Sequence, residues 1–283
     1  MMTVKLLGFN DYIPPFAKVN GTDESILQGV NYASGSAGIR DETGQKLGER
    51  IPLNQQLINH KTIISRITGE LGNSSAGKLL SRCIYSLQIG SNDYNNNYFQ
   101  PDFYNTSRQY TPKQYAAVLV QQYSMQIKSL YNDGARKFAV YGLEPIGCSP
   151  NAIQNFGTNG SLCVDKINIA AGFFNERLRQ LVGELNKNLT DAKFTYLNPF
   201  PNLLDIALSG IINVREPCCK TGGEQIPQLC VPNTVPCNNR NQYLFWDRIH
   251  PTEAWSCLTA RTAYQSLSPT VAYPFNIQQL AKE

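Results

Sequence analysis

Stretches typical of strands and of helices alternate along most of this chain, and this alternation constrains the fold more than any other feature of the sequence. Short apolar runs that end at Gly, Asn or Pro predict strands at residues 29–33, 83–89, 137–143 and 194–197. Apolar residues at helical spacing predict helices at residues 53–70, from Pro112 up to Gly134, at 164–185, at 203–208 and from Pro251. Such alternation favours an α/β fold in which helices cover a parallel sheet.

Length and composition predict a single domain over residues 1–283. No shift in composition marks a boundary, and 283 residues are enough for one large core. The net charge of +4 is small, and scattered Lys and Arg residues argue against a nucleic-acid partner. No apolar run reaches the roughly 18 residues that indicate a transmembrane segment. Nothing in the sequence indicates an obligate protein partner.

The eight cysteines favour disulfides over a metal site. Four of them lie between Cys218 and Cys237, where two are adjacent and no histidine is present. Zinc remains the alternative, but its sites use Cys pairs with two to four residues between them. We therefore expect residues 213–241, which are rich in proline and lack periodicity, to form a disulfide-stapled loop. The pairing stays open.

Sequence features that report on compartment point in two directions. Glycosylation sequons begin at Asn20, Asn73, Asn105, Asn159 and Asn188, and together with the cysteines they indicate a secreted glycoprotein. The first eight residues are too short for the apolar core and cleavage site of a signal peptide. We expect the chain either to stay inside the cell or to lack its front.

One loop holds the strongest candidate for chemistry. Asp247 precedes His250 by three residues, so its carboxylate can reach the imidazole Nδ1 and leave Nε2 free as a general base. The only other histidine, His60, lies in a polar helical stretch and is expected to be solvated.

Two further polar loops follow predicted strands, at residues 34–38 and 90–93. The carboxyl ends of parallel strands share one sheet edge, so we expect both loops to lie near Asp247 and His250. The Asn92 side chain and the backbone of the glycine loop offer the N–H donors that an oxyanion hole needs. Each motif alone is also typical of a turn or an N-capping aspartate, and their common placement is what favours a site.

The chain resembles the plant GDSL esterase/lipases of the SGNH hydrolase superfamily from residue 12 to its C-terminus. The motifs that carry the resemblance are YIPPF at 12–16, GVNYAS at 29–34, GSNDY at 90–94, GARKF at 134–138, IGCSP at 146–150, CC at 218–219 and YLFWDRIHPTE at 243–253. The resemblance implies a three-layer α/β/α domain. It also implies a secreted enzyme that hydrolyses lipid or acyl esters without a cofactor or metal.

The same resemblance implies a role for each candidate residue. His250 corresponds to the general base and Asp247 to the acid that orients it. Asn92 corresponds to the side-chain donor of the oxyanion hole. Gly35 corresponds to the backbone donor, with Gly38 as the alternative because the register of this loop is open.

The family's Gly-Asp-Ser-Leu block, which supplies the nucleophilic serine and the first strand, has no match in residues 1–283. Ser34, Ser36 and Ser91 lie near the expected site, but a nucleophile must face both the base and the oxyanion donors. We therefore expect this chain by itself to be inactive, and poorly stable because the strands at 29–33 and 83–89 lose a shared partner. The alternatives are a non-catalytic binder of acyl esters or cell-wall polymer, and a truncated product without a function.

Overall fold

A computed structural model describes residues 2–19, 24–199, 213–222 and 228–283. The helices are α1 (Met2–Leu6), α2 (Leu53–Leu71), α3 (Asn73–Arg82), α4 (Pro112–Asn132), α5 (Pro150–Phe156), α6 (Asp165–Asn188), α7 (Glu253–Gln265) and α8 (Ile277–Lys282), with short helical turns at Ser91–Asp93 and Thr106–Gln109. The strands are β1 (Ile84–Leu87), β2 (Lys137–Tyr141), β3 (Lys193–Leu197), β4 (Asn213–Pro217), β5 (Tyr243–Phe245) and β6 (Ala272–Tyr273).

The main sheet has the order β1-β2-β3-β6. The first three strands are parallel, in a register that aligns Tyr85, Phe138 and Phe194, and β6 runs antiparallel to β3. Their carboxyl ends therefore open onto one edge, which is where the candidate loops were expected. The predicted strands at 83–89, 137–143 and 194–197 are confirmed with small differences in their bounds.

Helices cover both faces of this sheet. Phe138 and Phe194 stack with ring centroids 4.4 Å apart and belong to a core shared with α4 and α6. Ala139 and Leu197 alternate with them and pack with residues of α7 and α8 on the opposite face. The three-layer α/β/α arrangement is thus confirmed.

Local capping explains why α4 begins where the sequence predicts. The Thr111 hydroxyl accepts a hydrogen bond from the Gln114 backbone N–H, the Gln114 side-chain oxygen accepts one from the Thr111 backbone N–H, and Pro112 occupies the first turn. Helix α2 ends at Gly72, whose φ of 76° suits glycine. In the described residues, no helix is both long enough and apolar enough to cross a membrane.

The predicted strand at 29–33 is wrong. Asn31 makes an isolated parallel bridge to Pro15, in which its N–H binds the Pro14 carbonyl and its carbonyl accepts from Phe16, both at 2.8 Å. The segment is extended, as its composition suggests, but its backbone pairs with residues 14–16 instead of joining the sheet.

Other differences concern segments where the sequence signal was weak. Residues 213–241 are not all loop, because β4 pairs in parallel with β5. Helices α3, α5 and α8 and strands β5 and β6 were not predicted. The helix predicted at 203–208 lies outside the described residues.

Candidate active site

The turn after β1 brings Asn92 to the carboxyl edge of the sheet. Gly90 has a φ of 122°, and a Cβ at that position would lie 3.1 Å from the Leu143 side chain. Both constraints favour glycine. The chain then enters the helical turn Ser91–Asp93, which directs the side chains of Asn92 and Asp93 toward residues 37–43.

The Asn92 amide contacts the glycine loop directly. Its Nδ2 donates to the Ala37 carbonyl at 2.9 Å, and its Oδ1 accepts from the Asn96 amide at 2.9 Å. These partners fix the orientation of the amide. Because a side-chain amide has two N–H groups, the bond to Ala37 uses one donor and leaves a second for a ligand.

The two candidate glycines occupy different environments. Gly38 is buried, its carbonyl accepts from the Leu53 N–H at 3.2 Å, and a Cβ there would lie 2.6 Å from both carboxylate oxygens of Asp93. Gly35 is exposed, and a Cβ there would meet nothing within 4 Å. A ligand can therefore approach the backbone at Gly35, whereas Gly38 is packed against the protein.

The Asp247 carboxylate holds His250 through a compact loop. Asp247 Oδ2 lies 2.9 Å from His250 Nδ1, while Oδ1 accepts from the backbone N–H groups of Ile249 at 2.8 Å and His250 at 2.7 Å. Asp247 is only 4% exposed, but the His250 side chain is 61% exposed. The imidazole is thus oriented from within the protein and open to solvent.

Mutual hydrogen bonding shifts the pKa values of this pair. Burial acts to raise the pKa of Asp247, but the bonds from the His250 ring and from the two backbone N–H groups outweigh it and hold that pKa below its usual range. The bond to Asp247 raises the pKa of His250, and burial opposes that effect. Asp247 is therefore ionised at neutral pH, as an orienting acid must be.

The loop that carries Asp247 and His250 rests against a disulfide-bonded segment. The N–H of Cys218 donates to Phe245 O at 3.0 Å, and that of Cys219 donates to Trp246 O at 2.9 Å. Disulfides join Cys218 to Cys237 and Cys219 to Cys230, and a third joins Cys148 to Cys163. Disulfides predicted from the cysteine count are confirmed, and among the described residues no cluster of His, Cys, Asp and Glu is arranged to hold a metal.

A small cavity of about 30 Å³ lies between the segment that follows Asn92 and the loop that carries Asp247 and His250. Ile249 and Pro251, on either side of His250, line it together with Asn95, which follows Asn92 by three residues. Glu144 and Trp255 also line it, and the indole hydrogen-bonds the carboxylate. The candidate residues thus lie on neighbouring loops at one edge of the sheet.

The expectation that His60 is solvated is wrong. The residue is 7% exposed, its Nδ1 lies 3.0 Å from the Tyr32 hydroxyl, and its ring meets those of Tyr32 and Tyr85 edge-on. Burial lowers its pKa to about 4. The signal was its spacing, because His60 continues the buried stripe of α2 between Leu57 and Ile63.

Sequence reasoning also missed Asp93 as a potential functional residue. Its carboxylate is completely buried and accepts hydrogen bonds from the backbone N–H groups of Ile39 and Arg40, which directly follow the glycine loop. The available signal was its position directly after Asn92, at the end of a strand.

Comparison with known proteins finds a matching family and several similar proteins. Residues 4–258 match the sequence profile of the GDSL-like lipase/acylhydrolase family. The chain is similar to three proteins of Arabidopsis thaliana: GDSL esterase/lipase At1g29670 at 48% identity, At1g29660 at 46% and At5g45670 at 45%. Each alignment covers 98% of this chain and 77% of the relative.

Proposed function

Because the chain belongs to the GDSL-like lipase/acylhydrolase family, we propose that its site acts on carboxylic esters of lipid or acyl type. The observation that carries the proposal is the hydrogen bond between the buried Asp247 carboxylate and the exposed His250 imidazole. It fixes Nδ1 as the bound nitrogen and leaves Nε2 to accept a proton.

Each residue has a definite role in ester cleavage. His250 Nε2 takes the proton of a serine hydroxyl while the serine oxygen bonds to the ester carbonyl carbon, and Asp247 stabilises the imidazolium that results. The carbonyl oxygen becomes an oxyanion, which the second N–H of Asn92 and the backbone N–H of Gly35 stabilise. When the tetrahedral intermediate collapses, His250 returns the proton to the leaving alcohol. The accessibility of Gly35 favours it over Gly38 in this role.

The serine itself is the open part of the proposal, since residues 1–283 contain no Gly-Asp-Ser. Ser34 is a poor substitute because its Oγ accepts the Ile51 N–H at 2.9 Å. We propose that the 283 residues alone form no acyl-enzyme. The same observation favours a second candidate function, in which the chain binds acyl esters without cleaving them.

A fluorophosphonate probe tests the proposal. We expect no serine labelling of the 283-residue chain, and labelling of a joined chain in which a Gly-Asp-Ser-Leu block with its strand precedes Met1. His250→Ala should abolish the labelling of the joined chain. Labelling of the 283 residues that is lost in His250→Ala would overturn the proposed inactivity.

Hydrolysis of p-nitrophenyl butyrate distinguishes the two candidate functions. Turnover by the joined chain supports the esterase. A rise in Tm on adding the ester, with no turnover by either chain, supports the binder instead.

We further propose that the protein functions in an oxidising compartment as a glycoprotein. The three disulfides support this, as does the exposure of Asn73, Asn105, Asn159 and Asn188 at the described sequons. Asn20 lies outside the described residues. Secretion through plant cells, followed by enzymatic deglycosylation, should produce a fall in mass, and an unchanged mass would contradict glycosylation.

A further inference from the structure

We infer that Asp93 is a positioning residue for the oxyanion hole, holding the loop that carries Gly35 and contacts Asn92. The inference rests on the proposed function, because it assigns Asp93 a task in that same site. It concerns a residue that touches no substrate and acts through the backbone around it.

The carboxylate of Asp93 binds three donors in residues 39–43, which directly continue the glycine loop at 34–38. Oδ2 accepts from the Ile39 N–H at 2.8 Å, and Oδ1 accepts from the Arg40 N–H at 3.1 Å and the Thr43 hydroxyl at 2.8 Å. Asp93 is completely buried. Because burying an ionised group is costly unless it is well hydrogen-bonded, these three bonds are what make a carboxylate tolerable here.

The loop backbone is also held from other directions. The Ile39 carbonyl accepts from the side-chain amides of Gln122 at 2.9 Å and Gln126 at 3.0 Å, both on α4. The Ala37 carbonyl accepts from Asn92. Residues 37–40 are thus fixed between α4, the turn after β1 and Asp93.

Close packing makes the arrangement intolerant of change. A Cβ at position 38 would lie 2.6 Å from both carboxylate oxygens and from the Thr43 methyl group. The backbone therefore passes so close to Asp93 that only glycine fits at this position. The Asp93 end is anchored as well, since the Tyr115 hydroxyl donates to its carbonyl at 3.3 Å and the Asn97 amide donates to Thr43 Oγ1 at 3.2 Å. A shift of the carboxylate would disturb its bonds to Ile39 and Arg40, which lie two and three residues after the Ala37 carbonyl that Asn92 contacts.

Asp93 also has a protonation equilibrium that can be followed in solution. Burial raises its pKa to about 6, against the opposing effect of its three hydrogen bonds and with a smaller contribution from Glu42. The folded state therefore favours protonated Asp93, and this contribution to stability is lost as the pH rises through about 6. Protonation converts one acceptor oxygen into a hydroxyl, which changes the bonds to the loop.

The ionisable groups nearest to Asp93 are Arg40, Glu42, Tyr94 and Tyr115. Arg40 and Glu42, on the same loop, pair with each other at 2.8 Å. Burial, and next the charge of Asp93, hold the pKa of Tyr94 and Tyr115 far above the usual range. His250, in the same site, has a raised pKa, so a pH-dependent change that disappears in Asp93→Asn reports on Asp93 and one that persists reports on His250.

Nuclear magnetic resonance of the 283-residue chain tests the inference without turnover. We expect the Ile39 and Arg40 amide signals and the Asn92 side-chain amide signal to titrate with one midpoint, near pH 6. In Asp93→Asn the titration should vanish and the Asn92 signal should shift, because an amide places a donor against the N–H groups of the loop. Asp133→Asn is the control, since burial raises the pKa of Asp133 as well and none of its contacts involves the loop.

Kinetics in the joined chain give the functional readout. Asp93→Asn should lower kcat for p-nitrophenyl butyrate at least tenfold, but by no more than the roughly 10²–10³-fold cost of losing an oxyanion donor outright, and should leave KM nearly unchanged. The inference would be overturned if the Asn92 signal did not change in Asp93→Asn, or if it shifted equally in Asp133→Asn. An unchanged kcat of Asp93→Asn in the joined chain would overturn it as well. Absence of esterase activity in the joined chain would overturn the proposed function alone, because the spectral result does not depend on turnover.

Discussion

The two halves of the candidate site are held by different means. The acid–base half depends on hydrogen bonds within four residues, from Asp247 to His250. In the oxyanion half, Asn92 and Asp93 bind residues more than 50 positions earlier in the chain. The first can form wherever its loop is closed, whereas the second exists only when the sheet and α4 are assembled.

The supports behind the two halves differ in the same way. Covalent bonds close the segment behind His250, where the backbone of Cys218 and Cys219 pairs with β5 and the residue after it. The glycine loop contains no disulfide. It depends on the buried Asp93 carboxylate and on close packing at Gly38, where no side chain fits. We therefore expect the acid–base half to respond to redox change and the oxyanion half to respond to small changes in volume.

The largest effect is expected from removing the charge that orients His250. In the joined chain, Asp247→Asn should lower kcat for p-nitrophenyl butyrate by about 10⁴-fold, because the amide no longer stabilises the imidazolium. The same change should lower the pKa of His250, which imidazole resonances can follow. Equal kcat values for the variant and the parent would contradict the assigned role of Asp247.

Opening the disulfide behind His250 is expected to have the next largest effect. The Cys218–Cys237 bond closes a loop with a sequence separation of 19, and such a bond contributes about 3 kcal/mol to the free energy of unfolding. Cys218→Ser with Cys237→Ser should lose about that amount in urea denaturation.

Cys83→Ser with Cys257→Ser is the matched control, since neither cysteine forms a disulfide. Equal losses in both pairs would contradict the stapling argument.

The parent chain tests another expectation in the same series. Its predicted poor stability stays a prediction, which a cooperative transition well above growth temperature would contradict.

A pair of glycine variants tests the different packing of the two candidate donors. Gly38→Ala should cost about 1–3 kcal/mol of unfolding free energy because the new methyl group meets Asp93 and Thr43, whereas Gly35→Ala should change it little. Thermal denaturation of the two variants makes the comparison directly. A larger loss in Gly35→Ala would contradict the packing described for this loop.

The smallest effect concerns the two histidines, whose pKa values should be shifted in opposite directions. His250 has a raised pKa, and burial lowers that of His60 to about 4. A lowered folded-state pKa gives stability that is present above the unfolded value of roughly 6.5 and lost as the pH falls below it. His60→Gln should remove that loss. Resonances of both rings moving together would show that the environments are not distinct.

Short-range features of the site were predictable, and long-range ones were not. The Asp247–His250 spacing and the Gly90 turn before Asn92 carry their geometry in a few adjacent residues. The choice between Gly35 and Gly38 required knowing that Asp93 packs against the loop. His60 was misjudged because polar neighbours concealed its place on the apolar stripe of α2.

By itself, the sequence determined the strand and helix alternation, the caps of α4 and the loop that pairs Asp247 with His250. These depend on periodicity and on hydrogen bonds between residues close in the chain. Only the tertiary structure decided that residues 29–33 lie outside the sheet, that Gly35 is open while Gly38 is not, and that Asp93 clamps the loop. Each of these depends on a partner far away in sequence, and no local pattern specifies which distant group will satisfy a buried backbone donor.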